Sequence, residues 1–597
     1  MLSVALNWIY IFITSYIVGY AVLKKIAEIS CMYTLKGTKK LTYAYKYNAS
    51  YLMAGIVTLT VYAQMFSLIG GVGLLANVIL LLTCIFLFLT DRDSYVVEFD
   101  KILRTVVNSG SVWIYVIIFL AFAYGTSHGI MHYDTDLYHA QAIRWIEEYG
   151  VVKGLGNLHL RLGYNSSAFA LSALYSFAFT GKSMHTVAGF FALALAFSCA
   201  DLKNIANRRH PVLSDFVRVI AVYYLFTVFD EIVSPASDYF MTTMVLFIVI
   251  HWLDLYSLHE RAFLPHALLA LCAVYVTTIK LSAAPLMLLA IYPIHRIIRR
   301  RKKEAIKPIG ICVIFALLIS VPFFIRNVIL TGWLVYPFTG IDIFAAIWEV
   351  PRGTAMYDAH EIIAYGKGFT DSLKYNAPFR EWFPAWFSSL SMFNKGMLVL
   401  DAVAFPVFIA SSVYFLVVDV ISKKESTGRL KKVDNNILHL SHRKAVSLSD
   451  YVFIEAIVYI CLIYFLMSSP LIRYGCVYIW LPVTILAGRF IILLYDKAGF
   501  AGTSAVYRVV LGVLVVYMVY KSAILVVEDV PRFKASYLLV QQDYGQYDLK
   551  EEEIGGITFY EPVEGDRTGY DKFPAAPSLS GFKLLGSSLE DGFEAVQ

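Results

Sequence analysis

Apolar stretches of roughly 20 residues recur from one end of this 597-residue chain to the other, each long enough to cross a hydrocarbon core of about 30 Å. In that solvent every backbone N–H and C=O must find its partner inside the segment, which leaves the α-helix as the economical solution. Hydrophobic residues make up 58% of the sequence and charged residues 16%, and mean hydropathy is +0.64, values that exclude an ordinary soluble domain. The expected fold is an all-α polytopic membrane protein. Spans are predicted near 3–23, 49–69, 70–90, 111–128, 186–203, 211–230, 238–256, 262–279, 282–297, 308–326, 397–419, 449–468, 474–495 and 504–526, about fourteen in all.

The net charge of +6 says little about partners, but its distribution orients the chain. Basic clusters at Lys24/Lys25/Lys36/Lys39/Lys40, Lys203/Arg208/Arg209, Arg296 through Lys307 and Lys423 through Lys444 should face the cytoplasm. They do so together only if the apolar stretch Ser166–Thr180 dips into the bilayer and returns instead of crossing it. The first apolar run has no basic leader and is followed by Lys24-Lys25, so no cleavable signal peptide is expected and both termini are placed outside. The external segments are then 129–185, 230–238, 327–396, the turn Ser469–Arg473 and the tail 527–597. The domains read as an N-terminal three-helix membrane region over 1–110, a transmembrane core over 111–526 and the tail. Within the tail, Gly556-Ile557-Thr558-Phe559-Tyr560 reads as a short strand. The seven cysteines lie in apolar runs or near Cys31, so no external disulfide framework is expected.

Two carboxylates and two imidazoles sit where the fourth span leaves the bilayer, in His132-Tyr133-Asp134-Thr135-Asp136-Leu137-Tyr138-His139. Behind them Tyr138, Ala142, Trp145 and Tyr149 recur at helical spacing, with Ile146 alongside and charges on the other face, the pattern of a helix lying in the interface. Asp134 and Asp136 are the candidate catalytic carboxylates; Asp136 is also placed to cap that helix, which makes Asp134 the better candidate for acid–base chemistry. His139 and Arg144, on the same segment, are candidate substrate ligands. The same residue types leave a divalent metal on Asp134, Asp136 and His139 open.

Further ionisable residues fall at span ends on the same predicted face: Asp238 after Ser234-Pro235, Lys280 between two otherwise uncharged spans, Arg326 and Arg473. Ionisable groups near bilayer depth are costly and tend to pair or serve a site. Arginine and lysine so gathered would hold a phosphate and stabilise charge on a leaving group. The loop 327–396 carries Trp333, Trp348, Trp382 and Trp386, whose faces suit sugar rings or lipid. No Gly-rich phosphate loop supports a cytoplasmic nucleotide donor, and nothing points to nucleic acid.

Here the arrangement resembles the GT-C superfamily of membrane glycosyltransferases. Asp134-Thr135-Asp136-Leu137-Tyr138 looks like their acidic motif in the first external loop, and the segment from Asn165 to Leu174 like their re-entrant segment. Ser234-Pro235-Ala236-Ser237-Asp238, Thr278-Ile279-Lys280-Leu281-Ser282 and Arg473-Tyr474 with Leu481-Pro482 resemble later family motifs. The resemblance covers roughly residues 111–495 and implies a GT-C-like helical bundle. It also implies a polyprenyl-phosphate-linked sugar as donor, Asp134 as general base, and Lys280, Arg326 and Arg473 near the donor phosphate. The chain also resembles bacterial multi-pass proteins associated with surface polysaccharide synthesis. Their tails carry Gly-Asp-Gln-Cys-Trp and Pro-Cys-Thr-Pro, where this one has Gly565-Asp566-Arg567-Thr568-Gly569-Tyr570 and Phe573-Pro574-Ala575-Ala576-Pro577.

The expected function is therefore transfer of a sugar from a polyprenyl-phosphate carrier to an extracytoplasmic glycan or lipid acceptor, at the bacterial inner membrane. The alternative is a polysaccharide polymerase or a lipid-linked glycan flippase.

Overall fold

The computed structural model describes residues 1–31, 49–108, 112–207, 212–257, 263–301, 305–428, 435–498 and 500–596. Of the basic clusters, Lys36, Lys39, Lys40, Arg208, Arg209, Lys302, Lys303, Arg429, Lys431 and Lys432 lie outside the described residues.

The chain is predominantly helical. It begins with α1 Leu2–Cys31, α2 Ala49–Ser67, α3 Leu74–Thr90, α4 Arg92–Asn108 and α5 Val112–Ser127, followed by the short helices α6 Ala140–Glu148, α7 Leu155–Leu158 and α8 Ser167–Tyr175. Next come α9 Val187–Cys199, α10 Leu213–Thr227, α11 Ser237–Ser257, α12 Phe263–Ile279, α13 Ile291–Arg301 and α14 Ile306–Thr331. After α15 Arg352–Gly366 and α16 Phe379–Ser389 run four long helices, α17 Met392–Gly428, α18 Asn435–Met467, α19 Cys476–Ala498 and α20 Phe500–Asp529. The tail holds two antiparallel hairpins, β1 Leu549–Ile554 with β2 Ile557–Pro562 and β3 Phe582–Leu584 with β4 Phe593–Ala595. Gly555 and Gly556, at φ 61° and 80°, make the turn of the first hairpin, a backbone that favours glycine at both positions. The strand expected at 556–560 is thus present as β2.

Among the described residues, eight helices are long and apolar enough to cross a membrane, and a ninth if α3 and α4, bent by 96°, form one span. That is fewer than the roughly fourteen expected from hydropathy. The predicted spans 111–128, 186–203, 211–230 and 262–279 fall on helices of 16, 13, 15 and 17 residues. A hydropathy window runs past the end of a helix into the turn that follows it. After α9, for example, the chain tightens into a 3-10 turn over Ala200–Asn207. The stretch Ser166–Thr180 forms the nine-residue α8, about 14 Å long and too short to cross.

The N-terminal helices pack onto the rest of the molecule. α1 and α2 meet at a pair of glycines: a Cβ on Gly19 would lie 1.8 Å from the Tyr51 carbonyl oxygen, and one on Gly55 1.7 Å from that of Ser15. Only residues without a side chain let the two backbones approach so closely. The side chains of Asn7 and Trp8 then donate to the carbonyls of Tyr175 and Thr186, at 2.8 and 2.9 Å, tying α1 to the segment between α8 and α9. α11 runs through the centre, with 78% of its span window buried against 6% for Arg508–Asp529 in α20.

Candidate functional site

A loop pinned at both ends sets the position of Asp134. The Ile130 amide donates to the Asp230 carbonyl at 2.7 Å and the His132 amide to Ser234 Oγ at 2.7 Å, so the segment before Asp134 lies along the segment that leads into α11. Asp238, in the first turn of α11, is thereby brought beside Asp134. From Thr135 to His139 the chain makes a wide π-type turn before settling into α6.

Arg473 joins the two acids. It sits in the short turn between α18 and α19, with Nη2 2.7 Å from Asp134 Oδ2, Nε 3.9 Å from Asp238 Oδ2 and Nη1 donating to His132 Nε2 at 2.7 Å. Lys280, where α12 breaks, pairs with Asp238 Oδ1 and lies 3.6 Å above the Tyr474 ring. Arg161 approaches Asp134 Oδ1 at 3.8 Å. Three cations thus face two carboxylates, contributed by five separate segments. The acids are nearly covered, while Arg161, Lys280 and Arg473 keep 35, 20 and 27% of their side chains exposed. The excess positive charge is therefore on the accessible side.

Electrostatics follow from this enclosure. Burial, and then Arg473, hold the His132 imidazole below its ordinary value, so it is neutral and accepts from the guanidinium. Burial also pushes His139 well below its ordinary range. Burial alone would lower Arg473, but Tyr474, Asp134 and Asp238 outweigh it and hold the guanidinium above its usual value.

Of the residues expected from the sequence, Asp134, Asp238, Lys280 and Arg473 are brought together. His139 lies beside them, its ring stacked on that of His132 with centroids 6.4 Å apart, while Asp136, Arg144 and Arg326 are placed elsewhere. Asp136 does not cap α6. Its carboxylate accepts from the Gly545 amide at 3.1 Å and the Tyr547 hydroxyl at 2.8 Å, and its carbonyl from the amides of Thr568 and Gly569 at 2.9 and 2.8 Å. Burial raises its pKa, against the opposing effect of those bonds. Arg144 bonds Glu148 at 2.7 Å and the carbonyls of Tyr570 and Asp571 at 2.7 and 2.8 Å, with the rings of Tyr570 and Phe573 beneath it. His139 is buried, with Nδ1 3.2 Å from Thr135 Oγ1. Arg326 is buried in α14, where it donates to Asn165 Oδ1 at 3.0 Å and to Ser67 Oγ.

Asp134, Asp136 and His139 therefore have separate partners, and among the described residues no group of three His, Cys, Asp or Glu side chains is arranged to hold a metal. The tryptophans of the 327–396 loop are also differently employed. Trp333, Trp382 and Trp386 are buried, and the indole N–H groups of Trp333 and Trp386 donate to the carbonyls of Val350 and Pro470 at 2.9 and 2.7 Å.

His132 and Arg161 complete the cluster, in addition to the residues the sequence singles out. His132 belonged to the acidic motif itself. The signal for Arg161 was a lone cation between the interfacial helix and the apolar stretch that follows.

The fold and the cluster define a predominantly helical protein, with several helices long and apolar enough to cross a membrane and a partly exposed charged cluster built from the ends of its helices. The chain belongs to the family described as "Domain of unknown function (DUF8201)", which matches residues 1–480 and so includes every member of the cluster. No curated protein and no solved structure matches it.

Proposed function

We propose that this protein is a membrane glycosyltransferase of the GT-C type, moving a sugar from a polyprenyl-phosphate-linked donor to an extracytoplasmic glycan or lipid acceptor in surface polysaccharide synthesis. On this reading the chain lies in the bacterial inner membrane as a GT-C-like bundle of about fourteen spans, with both termini and the Asp134 cluster outside. The observation that carries the proposal is the convergence of Asp134, Asp238, Arg161, Lys280 and Arg473 in one partly exposed cluster.

Such a cluster suits an anionic leaving group next to a proton acceptor. Arg161, Lys280 and Arg473 hold the donor phosphate, competing with the two carboxylates for the same N–H groups. Asp134, released from part of its ion pairing, accepts the proton of the acceptor hydroxyl. The acceptor oxygen then forms its bond to the anomeric carbon. The bond from that carbon to the phosphate oxygen breaks, and its electron pair leaves with the phosphate among the cations. His132, held neutral, orients Arg473.

The test is transfer of labelled sugar from a panel of polyprenyl-phosphate donors by the purified protein in lipid, beside the Asp134→Asn variant. Transfer that disappears in the variant supports the assignment. Full activity in a folded Asp134→Asn protein sinks it, and no transfer from any donor turns the search to lipid-linked oligosaccharides and a polymerase.

A further inference from the structure

Away from this cluster, a second set of polar groups is buried between α17, α18 and α19. Asp401 and Glu455 are 2% and 0% exposed. At the helical rise of 1.5 Å per residue, Asp401 lies about 14 Å inside the Met392–Tyr414 span, close to half of a hydrocarbon core. One Asp401 oxygen accepts from the Val483 amide at 2.8 Å, while Asp401 Oδ2 and both oxygens of Glu455 have no hydrogen-bond partner among the described residues.

Two further groups point the same way. Tyr451 and Tyr459 lie one helical turn before and after Glu455, on the same face of α18. Both are buried, at 4% and 3% exposed, and neither hydroxyl has a partner among the described residues. Tyr459 packs on Phe405 and Phe408 of α17, with ring centroids 5.0 and 5.3 Å away, so this face of α18 looks at the face of α17 that carries Asp401. Both tyrosines and Asp401 interact electrostatically with Glu455, and from the surrounding helices Arg489 of α19 and Tyr256 of α11 act on Tyr451. The 3-10 segment Leu281–Ala290, which also packs on α18, brings no titratable side chain.

A set of unpartnered buried oxygens is costly in an apolar bundle unless something satisfies it. Carboxylate and hydroxyl oxygens without nitrogen or sulfur form a donor set for a hard cation. Ionisable residues at such depth mark ion or proton sites. We propose that Asp401, Glu455, Tyr451 and Tyr459 form an intramembrane site for a small monovalent cation, a proton or a sodium ion competing for the same oxygens. The site is separate from the Asp134 cluster and does not depend on the glycosyltransferase reading.

The experiment uses the full-length protein in lipid nanodiscs. Infrared difference spectra record the carboxylic-acid C=O band during alkaline titration, in sodium chloride and in choline chloride at equal ionic strength. Thermal unfolding is followed in the same buffers. A band that disappears at lower pH in sodium, with Tm raised by sodium in alkaline but not acid buffer, identifies a sodium site in competition with protons. A band that titrates identically in both salts identifies the proton as the occupant. In either case the change in the C=O band is lost in Glu455→Gln and reduced in Asp401→Asn. A band that never titrates, together with a Tm indifferent to sodium at every pH, overturns the proposal, and so does a titrating band that persists in both variants.

Discussion

Arg473 Nη2 lies 2.7 Å from Asp134 Oδ2 although 341 positions separate His132, which the same guanidinium also contacts, from Arg473. One side chain thus ties the first acidic loop to the α18–α19 turn, and through Nε it also reaches Asp238. Three different nitrogens of a planar fork make these contacts, a geometry that an ammonium group does not reproduce.

Arg473→Lys therefore keeps the charge and loses the arrangement. Transfer activity is expected to fall about 10- to 100-fold in kcat/KM, the equivalent of one or two charge-assisted hydrogen bonds. Steady-state kinetics with a polyprenyl-phosphate donor checks this, and a fully active Lys variant would show that the fork is not needed.

Lys280 pairs with Asp238 and lies over Tyr474, yet is partly exposed. If it holds donor phosphate, Lys280→Met raises KM for the donor about tenfold or more, with a smaller effect on kcat. The same change leaves Asp238 with Arg473 alone, so a modest loss of Tm accompanies it. A drop confined to kcat would place Lys280 in the chemical step instead.

The tail is held to the acidic loop through close backbone contacts. A Cβ on Gly545 would stand 2.5 Å from Asp136 Oδ2. Gly545→Ala is expected to loosen residues 545–569 and cost about 1–3 kcal/mol, as overpacking does in other interiors. Faster limited proteolysis of the tail and a lower Tm are the readouts. Unchanged protection would mean that the loop yields without cost.

His185 lies in the seam between the tail and the core, its ring nitrogens 2.7 and 3.0 Å from the carbonyls of Val233 and Gln542. Burial pushes its pKa down to about 4 from 6.5, against the Val233 and Gln542 carbonyls, which favour the protonated ring, and with Lys182 and Asp543 acting on it in opposite directions. The unfolded chain then takes up this proton first, so stability falls progressively as pH drops from 6.5 toward about 4, by up to about 3 kcal/mol. Asp136 and Glu147, raised by burial, act in the opposite sense over the same acid range. The comparison that isolates His185 is with His185→Gln, which should lose less stability on acidification than the parent. Identical pH profiles of unfolding would contradict the assignment.

Asp134, Asp238, Lys280 and Arg473 were legible in the sequence because a charge at the end of an apolar run has few places to go. The alternation of span ends then assigns such charges to one face. Asp136 and Arg144 were not, because what decides their role is a tail some 400 positions later, and nothing local to either residue announces that contact. The polar face of α6 is likewise covered by the tail. In the structure Gln141 and Glu147 are buried there, bonded to Gly569, Lys572 and Tyr570. Asp401 and Glu455 are not legible in the sequence, since single acids barely alter the mean hydropathy of a long span. The strand in the tail was legible from Ile557 onward, but Gly556, expected within it, belongs with Gly555 to the turn before it.

Asp136 and Gly545 are 409 positions apart, and Asp136 receives bonds from residues 545, 547, 568 and 569. Synthesis runs in one direction, so the acidic loop emerges well before these partners and cannot acquire the bonds until the chain has been made through Gly569. A nascent or truncated chain ending before Gly545 would carry Asp136 and Gln141 without the partners that the tail gives them. The segment from Gly545 to Gly569 thus acts as a seal on a loop translated some 400 residues before it, and the loop cannot be completed until that segment has been made.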